Sequence, residues 1–123
     1  MKTVSTLPHD GDADAVHDHS GAPFPDLPPR EVLETSGDLL RALAAPVRIA
    51  IVLQLRESAR CVHELVDALA VPQPLVSQHL RILKAAGVVS GERSGREVMY
   101  RLVDHHLAEI VVAAVTHAAE GAE

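Results

Sequence analysis

Four residues near the C-terminus have side chains that bind metal ions, and they occur as two pairs. Asp104 and His106 form a D-x-H pair, and His117 and Glu120 form an H-x-x-E pair after ten intervening residues. Imidazole nitrogens and carboxylate oxygens, without sulfur, form a donor set that suits zinc and also nickel or cobalt. The four residues are therefore the predicted metal site.

The spacing of the two pairs decides where such an ion can bind. His106 and His117 are 11 residues apart, which on a helix is about 1100°, some 20° past three full turns, so that both lie on one face. Along the axis they are roughly 16 Å apart, whereas metal–ligand bonds are about 2 Å long. One helix cannot gather all four donors, but two antiparallel copies can. The motif predicts a homodimer with two symmetry-related interfacial sites.

Apolar periodicity and turn residues predict the elements that carry these pairs. Helices are expected over about 29–43, 47–57, 62–69, 73–86 and 104–119, with extended runs at 88–90 and 98–102 around a hairpin tip at 91–96. Leu33, Leu39, Leu40 and Leu43 are expected on the apolar side of the first helix. Asp104 is a good N-cap for the last helix. The middle of that helix is apolar nearly all round, which predicts burial against a partner subunit.

Bulk properties bound the class of protein. The chain has 123 residues, 47% of them apolar, with only Phe24 and Tyr100 as aromatics, so one domain with an aliphatic, helical core is expected at 29–123. Residues 1–28 form an acidic, His-containing tail that is predicted to be disordered. The sequence lacks an apolar run of membrane-spanning length and the apolar core of a signal peptide. With Cys61 as the only cysteine, these features favour a cytoplasmic protein without a membrane partner.

The distribution of charge favours nucleic acid as a partner. The net charge is −6, but residues 1–35 contain seven acidic and two basic residues, a net of −5. Residues 75–101 contain five basic and two acidic residues, a net of +3. Local charge decides where a polyanion binds, so the basic segment is the predicted contact surface.

Two helices separated by a short break at Val71-Pro72, and then a hairpin, are typical of DNA-binding proteins. The predicted fold class is mainly α with a small β-hairpin, a winged helix-turn-helix. Val76, Leu80 and Leu83 should face the core, which leaves polar side chains to read base edges or bind phosphate. The predicted DNA-binding residues are Gln73, Ser77, Gln78, Arg81 and Lys84 on the fourth helix, and Arg93 and Arg96 at the hairpin tip.

The motifs that carry a family resemblance lie in these same elements. They are LAAPVR (43–48), PLVSQHLRIL (74–83), AGVV (86–89) and GREVMYRL (95–102). Together they resemble the ArsR/SmtB family of bacterial winged-helix metalloregulators over roughly residues 36–120, and most closely its SmtB-like zinc-sensing branch. The chain departs from the family at Pro72-Gln73-Pro74, where a Ser or Thr N-cap is common.

The resemblance implies a function. It implies a repressor that forms a homodimer through its first and last helices, binds palindromic operator DNA when metal-free, and is released when Zn²⁺ binds to the D-x-H and H-x-x-E residues. A nickel- or cobalt-sensing repressor (Ni²⁺ or Co²⁺) of the same fold remains an alternative. So does a metal-independent regulator, redox or structural, that uses Cys61.

A second candidate metal site centres on Cys61 and Glu64. A mixed site could add His63 or a tail histidine (His9, His17 or His19), although a lone cysteine at a helix start is more often a small apolar residue. One thiol excludes a thiolate-rich site within one chain. No enzyme is predicted, because the sequence has no complete catalytic motif.

Overall fold

The computed structural model describes residues 21–122, and in that range the chain forms five helices and one hairpin. The elements are α1 (Arg30–Leu43), α2 (Pro46–Glu57), α3 (Val62–Leu69), α4 (Gln73–Ala85), β1 (Val89–Ser94), β2 (Glu97–Leu102) and α5 (His106–Glu120). Residues 21–29 have no helix or strand and are exposed. The mainly α, winged helix-turn-helix fold is confirmed. The prediction of a disordered tail at 1–28 falls largely outside the described residues.

The core is aliphatic, as the composition predicts. The largest side chains buried almost completely are those of Ile51, Val52, Leu65, Val76, Leu80, Leu83 and Val88. They come from α2, α3, α4 and the start of the wing, and α2 packs against α3, α4 and α5. No polar or charged residue is buried among residues 21–122. Apart from the half-buried Arg48 and Arg60, the charged side chains of this range stay at the surface, where a polyanion or a metal ion can reach them.

The helix-turn-helix is built by local backbone chemistry. Glu64 Oε1 accepts a hydrogen bond from the Cys61 N–H at 3.0 Å, which closes a capping box at the start of α3. The helix ends at Ala70, whose φ of 57° and ψ of 43° are left-handed. Pro72 and Pro74 then flank the first residue of α4, where the N–H groups that proline lacks have no helical acceptor. The departure from the family pattern is thus compatible with a regular helix.

The wing is longer and its tip is shorter than the sequence predicts. The strands pair antiparallel from Val89 with Leu102 to Ser94 with Glu97, so the tip is Gly95-Arg96 and not residues 91–96. Gly95 has a φ of +66°, as a tight two-residue hairpin requires. The prediction failed because the outer half of β1 is exposed on both faces and so shows no apolar alternation. Arg93, predicted at the tip, lies in β1 opposite Val98.

Helix α5 buries only part of its apolar surface within one protomer. Leu107, Ala108 and Val111 are buried, whereas every residue from 113 to 120 is exposed. Helix α1 is similar, because Leu43 is buried while Leu33 and Leu40 are about half exposed. Two of the four leucines expected on the apolar side of α1 therefore lie on the surface of the protomer. Within residues 21–122 no helix is long and apolar enough to cross a membrane.

We expect Ala70→Gly to raise the free energy of unfolding by about 1 kcal/mol, because glycine adopts left-handed dihedrals without the steric cost that alanine has. Chemical denaturation measures the change. Ala68→Gly is the matched control, since it places glycine inside α3 and should lower the same free energy by about 1 kcal/mol. If both variants are destabilised, Ala70 contributes no backbone strain.

Candidate DNA-binding and metal sites

Helix α4 presents a polar face opposite its buried stripe. Val76, Leu80 and Leu83 are buried, as predicted. The predicted DNA-binding residues of this helix, Gln73, Gln78, Arg81 and Lys84, are exposed, and Ser77 is half-buried. Within residues 21–122, Arg81 and Lys84 form no ion pair with an acidic residue, so both are free to bind a polyanion.

The wing arginines differ in their availability. Arg101 Nη2 lies 3.4 Å from Glu92 Oε1 across the hairpin, and both side chains are exposed. Arg93 and Arg96 are exposed, and neither is paired with a carboxylate in the described part of the chain. The prediction that these two arginines contact DNA, one from the turn and one from β1, fits this difference in pairing.

Arg48 makes two contacts that the sequence analysis missed. Its Nε–H donates to the Ala42 carbonyl oxygen at 2.6 Å, and its Nη1 lies 3.2 Å from His79 Nδ1. Arg48 is in the first turn of α2, and His79 is half-buried in the middle of α4. The two residues are 31 positions apart, so no local pattern connects them. The only available signal is that both lie in the segments that carry the family resemblance.

The first half of the predicted metal site is already assembled. The N-cap of α5 is His105 and not Asp104 as predicted, but Asp104 Oδ1 accepts a hydrogen bond from the His106 N–H at 2.9 Å. The same oxygen lies 3.3 Å from His106 Nδ1. Both side chains are largely exposed. One carboxylate and one imidazole are therefore held together by the backbone at the start of α5.

The second half lies at the other end of α5. His117 and Glu120 are exposed in its last two turns. By the rise of an α-helix, His117 is roughly 16 Å and Glu120 roughly 21 Å from His106 along the axis. Among residues 21–122 no three His, Cys, Asp or Glu side chains converge in one protomer. His105 has another partner, since its Nε2 lies 3.7 Å from Glu109 Oε2. The structure thus presents two separate pairs of donors.

The second candidate site, Cys61 and Glu64, has a structural role. Cys61 is buried, and the thiol and the Glu64 carboxylate are the two side chains of the capping box. His63 is exposed on α3, and the tail histidines His9, His17 and His19 lie outside the described residues. The capping contacts agree with Cys61 as a helix-start residue, and a metal role for this pair stays a prediction.

Comparison with known proteins places the chain among bacterial regulators. Residues 45–90 match the family described as "Bacterial regulatory protein, arsR family". The chain is 81% identical over 99 residues to the HTH-type transcriptional repressor SmtB of Mycobacterium tuberculosis, covering 80% of this chain and 73% of that protein. It is 41% identical over 78 residues to the HTH-type transcriptional regulator NmtR of the same species, covering 63% and 65%.

A solved structure supports the same assignment. The transcriptional repressor BigR from Xylella fastidiosa superposes with a TM-score of 0.62 at 34% identity, over 72% of this chain and 94% of that one. These relatives are transcriptional regulators and not enzymes, which confirms the prediction that this chain is not an enzyme.

We expect Glu64→Ala to lower the free energy of unfolding by about 1 kcal/mol, because it leaves the Cys61 N–H without its capping acceptor. Thermal or urea unfolding measures the loss. Asp67→Ala, on an exposed position of the same helix, is the control and should change stability by less than about 0.5 kcal/mol. Equal stability of Glu64→Ala and the wild type would show that the carboxylate is not needed for the cap.

Proposed function

The chain belongs to the ArsR/SmtB family of winged-helix transcriptional regulators, and from this we propose that it is a zinc-responsive repressor. In this proposal a zinc-free homodimer binds a palindromic operator in the cytoplasm, and zinc bound between the last helices of the two protomers releases the DNA. The observation that carries the proposal is the pair of donors that α5 holds at each of its ends.

The DNA part of the proposal is supported by the exposed side chains of α4 and the wing. Arg81 and Gln78 have the forked donors and acceptors that recognise base edges in a major groove. Lys84, Arg93 and Arg96 provide positive charge that can neutralise phosphates. Residues 75–101, which include most of α4 and the wing, contain five basic and two acidic residues, a net of +3.

The dimer part is supported by unburied apolar surface on α1 and α5. Val32, Leu33 and Leu40 of α1 and Val115 of α5 are each more than a third exposed. Large apolar side chains clustered on a surface are typical of an interface. A two-fold interface that includes α5 presents the same helix on both sides, so antiparallel packing brings the start of one helix to the end of the other.

The metal part is supported by a distance within one protomer. His106 Nδ1 and Asp104 Oδ1 are 3.3 Å apart. Two ligand atoms about 2.0 Å from a zinc ion at a tetrahedral angle lie about 3.3 Å apart. The first pair therefore has the separation of two adjacent zinc ligands before any ion binds. When bound, zinc would supply a charged crosslink between this pair and the His117 and Glu120 pair of a second copy.

Release of DNA follows from linkage. A metal ion weakens DNA binding only if it binds more tightly to the dimer conformation with low DNA affinity, and DNA then weakens metal binding by the same factor. In a palindromic operator both α4 helices must fit successive major grooves. The angle between protomers is therefore the property that a crosslink between the two α5 helices would alter.

We expect His106→Ala and His117→Ala to bind operator DNA as the wild type does and to lose the response to zinc, because each removes one ligand from both sites of the dimer. The measurement is fluorescence anisotropy of a duplex selected by the zinc-free protein from a random library. Zinc, nickel, cobalt and cadmium are titrated in turn at fixed salt.

His105→Ala is the matched control, because His105 is an exposed histidine beside His106 that pairs with Glu109. It should keep the full zinc response. If the two ligand variants still release DNA with zinc, the regulatory site lies elsewhere. Release by nickel or cobalt alone would identify the other ion class, and release by no metal would favour a metal-independent regulator.

We expect Arg81→Ala to weaken binding to the selected duplex by about tenfold to a hundredfold, because a bidentate base contact contributes roughly 1–3 kcal/mol of discrimination. Binding to a scrambled duplex should change much less. Arg56→Ala removes an exposed arginine from α2, outside the helix-turn-helix and the wing, and should change neither affinity. Equal losses on the two duplexes would make Arg81 a phosphate contact.

A further inference from the structure

Arg48 connects three helices through two hydrogen bonds. The Ala42 carbonyl that accepts from Nε lies in the last turn of α1, where helix carbonyls have no intrahelical donor. The 2.6 Å distance is short for an N–H···O bond. This contact fixes the guanidinium beside α4, and its Nη1 then reaches His79. A bond to a charged donor is among the stronger hydrogen bonds in proteins.

The contact assigns a role to each of its two atoms. Arginine has only donors, so His79 Nδ1 is the acceptor in this contact. The tautomer that can make the contact is the one with its proton on Nε2. Within residues 21–122, His79 is not among the residues with a buried, unsatisfied side-chain nitrogen. Its Nε2 is therefore open to solvent.

His79 lies away from the DNA-reading face of α4. At about 100° per residue, it is some 160° from Arg81 around the helix and about 60° from the buried Val76. Its half-buried ring faces α2. A residue at this position does not read bases, but it can hold the helix that reads them.

We propose that Arg48 is a positioning residue for DNA recognition, which fixes α4 through His79 Nδ1 against the end of α1. This inference rests on the proposed function, because α1 contributes to the proposed dimer interface. With α1 part of the interface and α4 in the groove, Arg48 fixes the orientation of the reading helix relative to the partner protomer. A dimer binds a palindromic operator only if both of its α4 helices fit the major groove at the same time.

The test is a double-mutant cycle on the full-length, zinc-free protein. Arg48→Met keeps the apolar stem and removes all donors, and His79→Leu removes the acceptor. His79→Leu should weaken binding to the selected duplex by about tenfold, the effect of losing one charge-assisted hydrogen bond, and Arg48→Met, which also loses the bond to Ala42, by at least as much. The double variant should bind no more weakly than Arg48→Met, because that variant already lacks the contact to His79. His79→Asn, whose side-chain oxygen replaces Nδ1, should retain most of the affinity.

Two readouts separate positioning from other roles. The slope of log affinity against log salt should be unchanged in Arg48→Met, whereas loss of a phosphate contact lowers it by about one. Nitrogen NMR of the free wild type should show His79 protonated on Nε2 alone, and that preference should weaken in Arg48→Met. Arg41→Met, which removes an exposed arginine paired with Asp38 on α1, is the control and should bind DNA as the wild type does.

Additive losses in the double variant, a reduced salt slope, or wild-type affinity in Arg48→Met would each overturn the positioning role. Wild-type binding to the selected duplex checks the proposed function separately. If the wild type selects no duplex, the repressor proposal fails. If the wild type binds and Arg48→Met binds equally well, only the role of Arg48 fails.

Discussion

The length of α5 against the length of a metal–ligand bond is the constraint on which the proposed regulation depends. Helix α5 has 15 residues, with Asp104 and His106 at its start and His117 and Glu120 at its end. The two histidines are roughly 16 Å apart along the axis, and the pairs cannot meet because metal–ligand bonds are about 2 Å long. An ion with all four ligands must lie between two copies of the helix. In the proposed function the metal site and the dimer are thus a single structural requirement.

A dimer that packs through α5 and α1 would also bury the apolar side chains that these helices expose to water in one protomer. Helix α5 buries Leu107, Ala108 and Val111 against the protomer and leaves its second half open. Leu33 and Leu40 of α1 are also open, although their pattern is that of a core-facing stripe. Because the chain has few aromatic residues, the core of a single protomer is small. Apolar surface on two helices is consistent with a core that two protomers complete.

The net charge of the chain is misleading because electrostatic contact is local. At physiological salt, charges more than about 8 Å apart are largely screened, so the potential at α4 is set by the charges near that helix rather than by the net charge of the chain. Ion pairs between neighbouring side chains also change the local charge. Glu92 and Arg101 offset each other on the hairpin, whereas Arg93 and Arg96 have no carboxylate partner within residues 21–122, which leaves them available for the proposed phosphate contacts. A fold that sorts its charges this way can bind DNA with a net charge of −6.

The sequence predicts a structural feature well when the residues that produce that feature are close together in the chain. The start of α2 follows from Pro46 and the end of α4 from Gly87, whose φ is +77°, so these bounds were predicted to within a residue. The contact between Asp104 and His106 was predictable for the same reason, because the two residues are two positions apart. The outer wing was predicted wrongly, because its pairing depends on backbone hydrogen bonds between exposed residues.

The contacts of Arg48 were not predictable in this way. A hydrogen bond across 31 residues exists only once α2 and α4 have packed. The exposure of Leu33 was equally unpredictable from the sequence, because an apolar stripe has the same pattern whether it packs on its own protomer or on a partner.

The position of α2 determines how a signal at α5 can reach the DNA. Helix α2 packs against α5 on one side and α4 on the other, and its Ile51 and Val52 are completely buried. Close-packed aliphatic interiors resist continuous deformation, so a crosslink at α5 has little freedom to bend the protomer. Arg48 adds a polar link from α2 to both α1 and α4. The protomer should therefore move as a rigid body, and the angle between the two protomers is the variable that remains for a metal ion to change.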